Sequence, residues 1–129
     1  MYARVYAQII GVVLLLVGVL GLILGEGLLL GILNRDVTED IVHILTGGIL
    51  AYVGFGQAAE GLTRNVVGAL GVIYLLVGVI GFIVPMLFGL IPSGYTLFDD
   101  LLHLALGVLS LIAFALSSGG ARQPRRRRT

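Results

Sequence analysis

The chain has no cysteine and no lysine, and charged residues make up only 12% of its 129 positions. Without cysteine there is neither a disulfide framework nor thiolate metal ligation. So little charge excludes an ordinary soluble domain, which needs a far more polar surface. Ser110, Ser117 and Ser118 lie on or after the last apolar run, and no motif ties them to a histidine. No nucleophile–base pair is therefore legible, and the chain is expected to be non-enzymatic. No metal-ligand spacing such as His-Glu-x-x-His is present. No small-x-small cleavage site precedes Gly25, so the first apolar run is expected to remain in the protein.

What is present is hydrocarbon. Hydrophobic residues make up 58% of the chain, and the mean hydropathy is +1.09. Four apolar stretches, at residues 5–25, 41–59, 66–84 and 101–117, approach or exceed the roughly 20 residues needed to cross a bilayer. The expected fold class is all-α membrane: a four-transmembrane-helix bundle whose main partner is the lipid bilayer.

The bundle reads as a duplication. IIGVVLLLVGVLGLI at 9–23 aligns without a gap on ALGVIYLLVGVIGFI at 69–83, sixty residues on. Gly11, Gly18 and Gly21 meet Gly71, Gly78 and Gly81. The same offset carries Asp40, His43 and Gly47 onto Asp100, His103 and Gly107. The expected organisation is a first two-helix repeat at 1–60, a second at 61–120 and a basic tail at 121–129. Each repeat holds two spans, so both enter the membrane from one side, as a parallel repeat about an axis along the membrane normal.

Five of the eight arginines lie in the tail ARQPRRRRT. An arginine cluster beside a span marks the cytoplasmic face, so nucleic acid is not expected as a partner, while anionic lipid headgroups are. Both termini are then cytoplasmic in a multi-pass plasma-membrane protein. Arg4 and Arg64, in the turn EGLTRN at 60–65, agree. Glu26, Asp36, Glu39, Asp40, Asp99 and Asp100 fall on the outer side, with Arg35. The outer connections are apolar. An unbroken helix from Val5 to Leu33 would run roughly 43 Å, longer than the hydrocarbon core. Breaks are expected near Gly25-Glu26-Gly27 and at Pro85, with interfacial segments after them. Tyr95 and Phe98 suit the outer interface, Tyr2 and Tyr6 the inner one.

Twenty glycines are many for helices. Gly11, Gly18 and Gly25 recur every seven residues, making a close-packing stripe. Packing within the bundle is the first expectation; a homo-oligomer or larger membrane complex is the other. Tyr52 and Tyr74 are expected to pack, and Gln57 to bond across helices.

The chain has two histidines, and each follows an aspartate by three residues. Asp40 and Asp100 are expected at or near helix N-caps, with Glu39 and Asp99 before them, where free N–H groups and the helix dipole favour carboxylates. His43 and His103 lie one turn further in on the same face. The plainest expectation is capping plus a hydrogen bond from each imidazole, because ionisable groups within spans turn inward and find partners. The second is a divalent metal held by Asp40, His43, Asp100 and His103. The third is a cofactor site, with His43 and His103 as axial haem ligands or lining a quinone-type pocket. A proton-coupled path is the last.

The four spans, the runs at 71–82 and 11–22, and His-x-x-x-Gly at His103 and Gly107 resemble a bacterial four-helix membrane family of unknown function, over residues 6–116. In that family the segment opening the last span tends to read His-Asn-x-x-His-x-x-x-Gly. Here Asp99 and Asp100 stand in the first two places. The resemblance implies a small membrane protein of structural or accessory role. The rival expectation is a membrane binding protein or transporter with its ligand at the aspartate–histidine cluster.

Overall fold

The computed structural model describes residues 1–117. The tail at 121–129 and Ser118 lie outside the described residues. Four α-helices dominate: α1 (Tyr2–Leu24), α2 (Val37–Phe55), α3 (Glu60–Ile83) and α4 (Leu97–Leu116). Three of them, α1, α3 and α4, are long and apolar enough to cross a membrane. The fourth, α2, is 19 residues long and carries Glu39, Asp40 and His43 in its first two turns.

The helices are inside-out relative to a soluble bundle. On α1 the buried positions are Ala3, Ala7, Gly11, Leu14, Gly18 and Gly21, while Val12, Leu16, Leu20 and Ile23 are exposed. Small residues inside let backbones touch; large apolar residues outside suit lipid. A Cβ on Gly11 would collide with the Ala51 backbone, and one on Gly71 would press on Ser110. The glycines thus bring α1 onto α2, and α3 onto α4.

Helix breaks fall where the chain predicts them. Helix α1 ends at Leu24, with Gly25 at φ 78° as its cap. Helix α3 ends at Ile83, because Pro85 offers no N–H and disfavours helix at Val84. After Gly25 the chain forms a hairpin that the sequence reading did not foresee. Strand β1 (Gly27–Leu29) pairs antiparallel with β2 (Leu33–Arg35), Gly27 opposite Arg35. After Pro85 comes a single tight turn at Leu87–Gly89.

One expectation about helix starts is corrected and another is narrowed. Residues 60–65 are not a turn but the opening of α3; the connection is only Gly56–Ala59. Arg4 makes so short a link workable: its guanidinium donates to the Val53, Gly54, Gly56 and Ala58 carbonyls and pairs with Glu60 at 2.6 Å. These include carbonyls that the end of α2 leaves unsatisfied. Arg64 does a related job, donating to the Phe114 carbonyl at 3.2 Å and lying over that ring. Asp40 and Asp100 lie near the caps, in the first turn of their helices, but are not the caps themselves. The caps are Asp36, which accepts from Thr38 N–H at 2.9 Å, and Thr96, which shares a capping box with Asp99. Both have extended backbone, as a cap requires, whereas Asp40 and Asp100 lie inside their helices.

Candidate functional site

The N-terminal ends of α2 and α4 meet under the hairpin. A hydrogen-bonded seam holds them there. Asn34 N–H donates to the Asp99 carboxylate at 3.1 Å, and Asn34 Nδ2 donates to Ser93 Oγ at 2.9 Å. Ser93 in turn donates to Asp36 at 2.8 Å, and the Thr96 hydroxyl donates to the Ile32 carbonyl at 2.6 Å. At the Asp36 carboxyl, burial acts to raise the pKa, but hydrogen bonds from Ser93 and Thr38 outweigh it and leave it below its ordinary value.

Beneath this seam His43 and His103 face each other, with ring centroids 6.4 Å apart. Between them stands Glu39. Its Oε1 lies 3.9 Å from His43 Nε2 and 3.7 Å from His103 Nε2. Both distances are too long for a hydrogen bond. Among the described residues these three are the group whose donor atoms converge for a metal, all within 4.8 Å of one another. Glu39 and His103 are each only 5% exposed. Glu39 Oε2, His43 Nδ1 and His103 Nδ1 are buried with no hydrogen-bond partner. Buried polar atoms left this way each cost roughly 1–3 kcal/mol unless something meets them.

Two tyrosines complete one flank. Tyr74 stacks on His103 at 5.8 Å and shares a 2.8 Å hydrogen bond with the Thr46 hydroxyl. Tyr95 meets the same imidazole edge-on at 4.8 Å. Burial pushes the Tyr95 phenol well above its ordinary pKa, and the charges of Glu39 and Asp99 push it further, so it stays neutral. The other flank is open: a cavity of about 330 Å³ lies between α1, the hairpin, α2 and α4.

The expected quartet is therefore brought together only in part. His43 and His103 meet. Asp40 lines the cavity, but its carboxylate packs against Gly21 of α1, where a Cβ would collide with it. Asp100 packs the same way against Gly81 of α3. The carboxylate between the histidines is Glu39, one residue earlier. On a helix Glu39 and His43 are i and i+4 neighbours, while Asp40 is turned by about 100° from Glu39. That i, i+4 spacing was visible in the chain as E-x-x-x-H. Tyr74, expected only to pack, reaches the site, and Tyr95 adds to it. Tyr52 is 75% exposed and takes no part.

The geometry bears on two of the guests proposed from the sequence, a metal ion and a haem. An ion bonded at about 2.1 Å to a carboxylate oxygen and two imidazole nitrogens holds them roughly 3.4 Å apart. The Glu39–histidine gaps exceed that by only a few tenths of an ångström. A haem does not fit between the histidines, because Glu39 Oε1 stands in the plane that a macrocycle would need. Compared with models of known families, with characterised proteins and with solved structures, the chain matches none.

Proposed function

We propose that this chain is a non-enzymatic, four-span membrane protein that binds a divalent transition-metal ion at Glu39, His43 and His103. In this reading its two halves are parallel repeats, both termini face the cytoplasm, and the site lies at the outer end of the bundle. Two imidazoles and a carboxylate are suitable ligands for zinc and its neighbours and leave coordination positions open. Charge supports the choice. Glu39, Asp40 and Asp99 line the cavity against a single Arg35. With neutral imidazoles, a dication cancels the two negative charges left over.

One observation carries the reading: a buried carboxylate oxygen, Glu39 Oε1, with two imidazole nitrogens, His43 Nε2 and His103 Nε2, around it, neither close enough to hydrogen-bond. The structural or accessory role expected from the sequence is the second reading. It is favoured by Tyr74 and Tyr95, whose rings hold His103 as a packing residue.

Metal content per chain, on protein purified in mild detergent without chelator, separates the two. The metal reading expects about one equivalent in wild type. It expects loss on Glu39→Gln, His43→Ala and His103→Ala, and retention on Asp40→Asn and Asp100→Asn. Wild-type protein that takes up no zinc, cobalt or manganese on reconstitution leaves the accessory role standing.

A further inference from the structure

The cavity beside the site is one-sided, and its walls say what it takes. Sixty residues before Tyr74 stands Leu14, and sixty before Tyr95 stands Arg35; both line the cavity. The two aromatic rings that fill one flank of the histidine pair thus have a leucine and an arginine as counterparts on the other, and the volume is left over there. One end of the cavity carries Glu39, His43 and His103. The wall running away from it is Val13, Val17, Leu20, Leu102 and Leu106, all apolar.

Several wall residues are also exposed on the outside of the bundle. Val13 is 45% exposed, Val17 46% and Leu20 53%. The same side chains therefore border the cavity and the surface that faces hydrocarbon, so entry is lateral, between α1 and α4. A guest arriving that way is lipid-soluble. At about 330 Å³ the cavity is at the small end of ligand pockets, which run about 300–1,000 Å³. One short chain or ring fills it; a two-chain phospholipid does not.

We infer that the cavity binds a single-chain amphiphile with an uncharged oxygen headgroup, the head at Glu39, His43 and His103 and the chain along α1. The inference rests on the metal reading. With a dication in place the polar end is neutral, and an anionic head would face Glu39, Asp40 and Asp99. A hydroxyl can occupy an open coordination position and donate to Glu39 Oε2, the buried acceptor without a partner.

The test uses full-length protein in lipid nanodiscs, with radiolabelled 1-decanol as probe, decanoate as the charged comparison, and metal assayed in the same samples. Leu14→Tyr installs the residue that fills the other flank; Val17→Phe fills the same wall from a second position. Saturable decanol binding in wild type should weaken about tenfold or more in either variant, with metal content unchanged. Equal binding in wild type and both variants, tighter binding of decanoate, or metal-loaded protein with no decanol bound each overturns the inference and leaves the metal site intact. Metal-free wild type that still binds decanol, sensitively to Leu14→Tyr, sinks the metal reading and keeps the cavity.

Discussion

Residues 36–43 and 96–103 begin their helices with nearly the same layout and end with different work. In the second, Thr96 is the cap and needs Asp99 to complete the box. Asp99 accepts from Thr96 N–H at 2.8 Å, and from the hairpin at Asn34. Its carboxylate is committed to holding backbone. In the first, Asp36 caps Thr38 N–H by itself and is braced by Ser93. Glu39, in the place of Asp99, is thereby released from capping. With one methylene more, it reaches the histidines instead. The lesson is that a small change in who caps a helix decides whether the next carboxylate is structural or free to bind.

The comparison can be broken where the halves agree. Gly21 meets the buried carboxylate of Asp40, and Gly81 that of Asp100. Gly21→Ala and Gly81→Ala should each destabilise the protein by about 1–3 kcal/mol or more, because a rigid backbone and a buried carboxylate must both shift. Thermal unfolding in detergent, followed by circular dichroism, reads this. A silent Gly21→Ala beside a damaging Gly81→Ala would mean that the cavity side yields and the two contacts are not equivalent.

The caps sharpen the difference. Asp36→Ala and Thr96→Ala should each cost about 1 kcal/mol. Thr96→Ala should loosen the hairpin more, because it removes the bond to the Ile32 carbonyl and disturbs Asp99, which holds the Asn34 N–H, whereas Asp36→Ala reaches Asn34 only through Ser93. Amide exchange at residues 27–35 should rise more in Thr96→Ala than in Asp36→Ala; the reverse pattern contradicts the assignment of Asp99.

Removing the Tyr74 hydroxyl with Tyr74→Phe, which breaks its bond to Thr46 and keeps the stacked ring, should cost roughly 0.5–1.5 kcal/mol. Metal content should be unchanged, since the ring packs on His103 and offers no donor to the ion. Loss of metal in Tyr74→Phe would move that hydroxyl into the site.

The smallest effect is on pH dependence. The Asp36 carboxyl titrates below its ordinary value when folded. Its contribution is therefore fully present above the unfolded value of about 3.9 and is lost as pH falls through the lower folded value. Asp36→Asn should flatten the acid limb of the melting temperature below about pH 4. An unchanged acid limb would show that the Ser93 and Thr38 bonds do not favour the ionised form.

Much of this architecture was legible in the chain. Run lengths implied helices of membrane-crossing length, and Gly25 and Pro85 marked where they stop, because one allows a positive φ and the other lacks an N–H. The pairing of Asp40-His43 with Asp100-His103 pointed to one end of the bundle, where the two histidines meet. The hairpin was not legible: GEGLLLGILNR carries no strand alternation, and its pairing depends on Gly25, Gly27, Leu30 and Gly31 at positive φ.

Sequence by itself determined the apolar helical class, the helix ends and where ionisable groups cluster, since composition, run length and helix-breaking residues act locally; of the four spans it implied, three helices are long and apolar enough to cross a membrane. Tertiary structure alone decided which carboxylate serves the histidines. Glu39 and Asp40 are adjacent in the chain and equally acidic; only the rotation of α2, set by glycines that seat it on α1, turns Glu39 to His103 and Asp40 to Gly21. The same holds for the cavity. Leu14 and Tyr74 are both buried on helices of the same kind. Only packing around His103 shows that one ring fills a space that its counterpart leaves open.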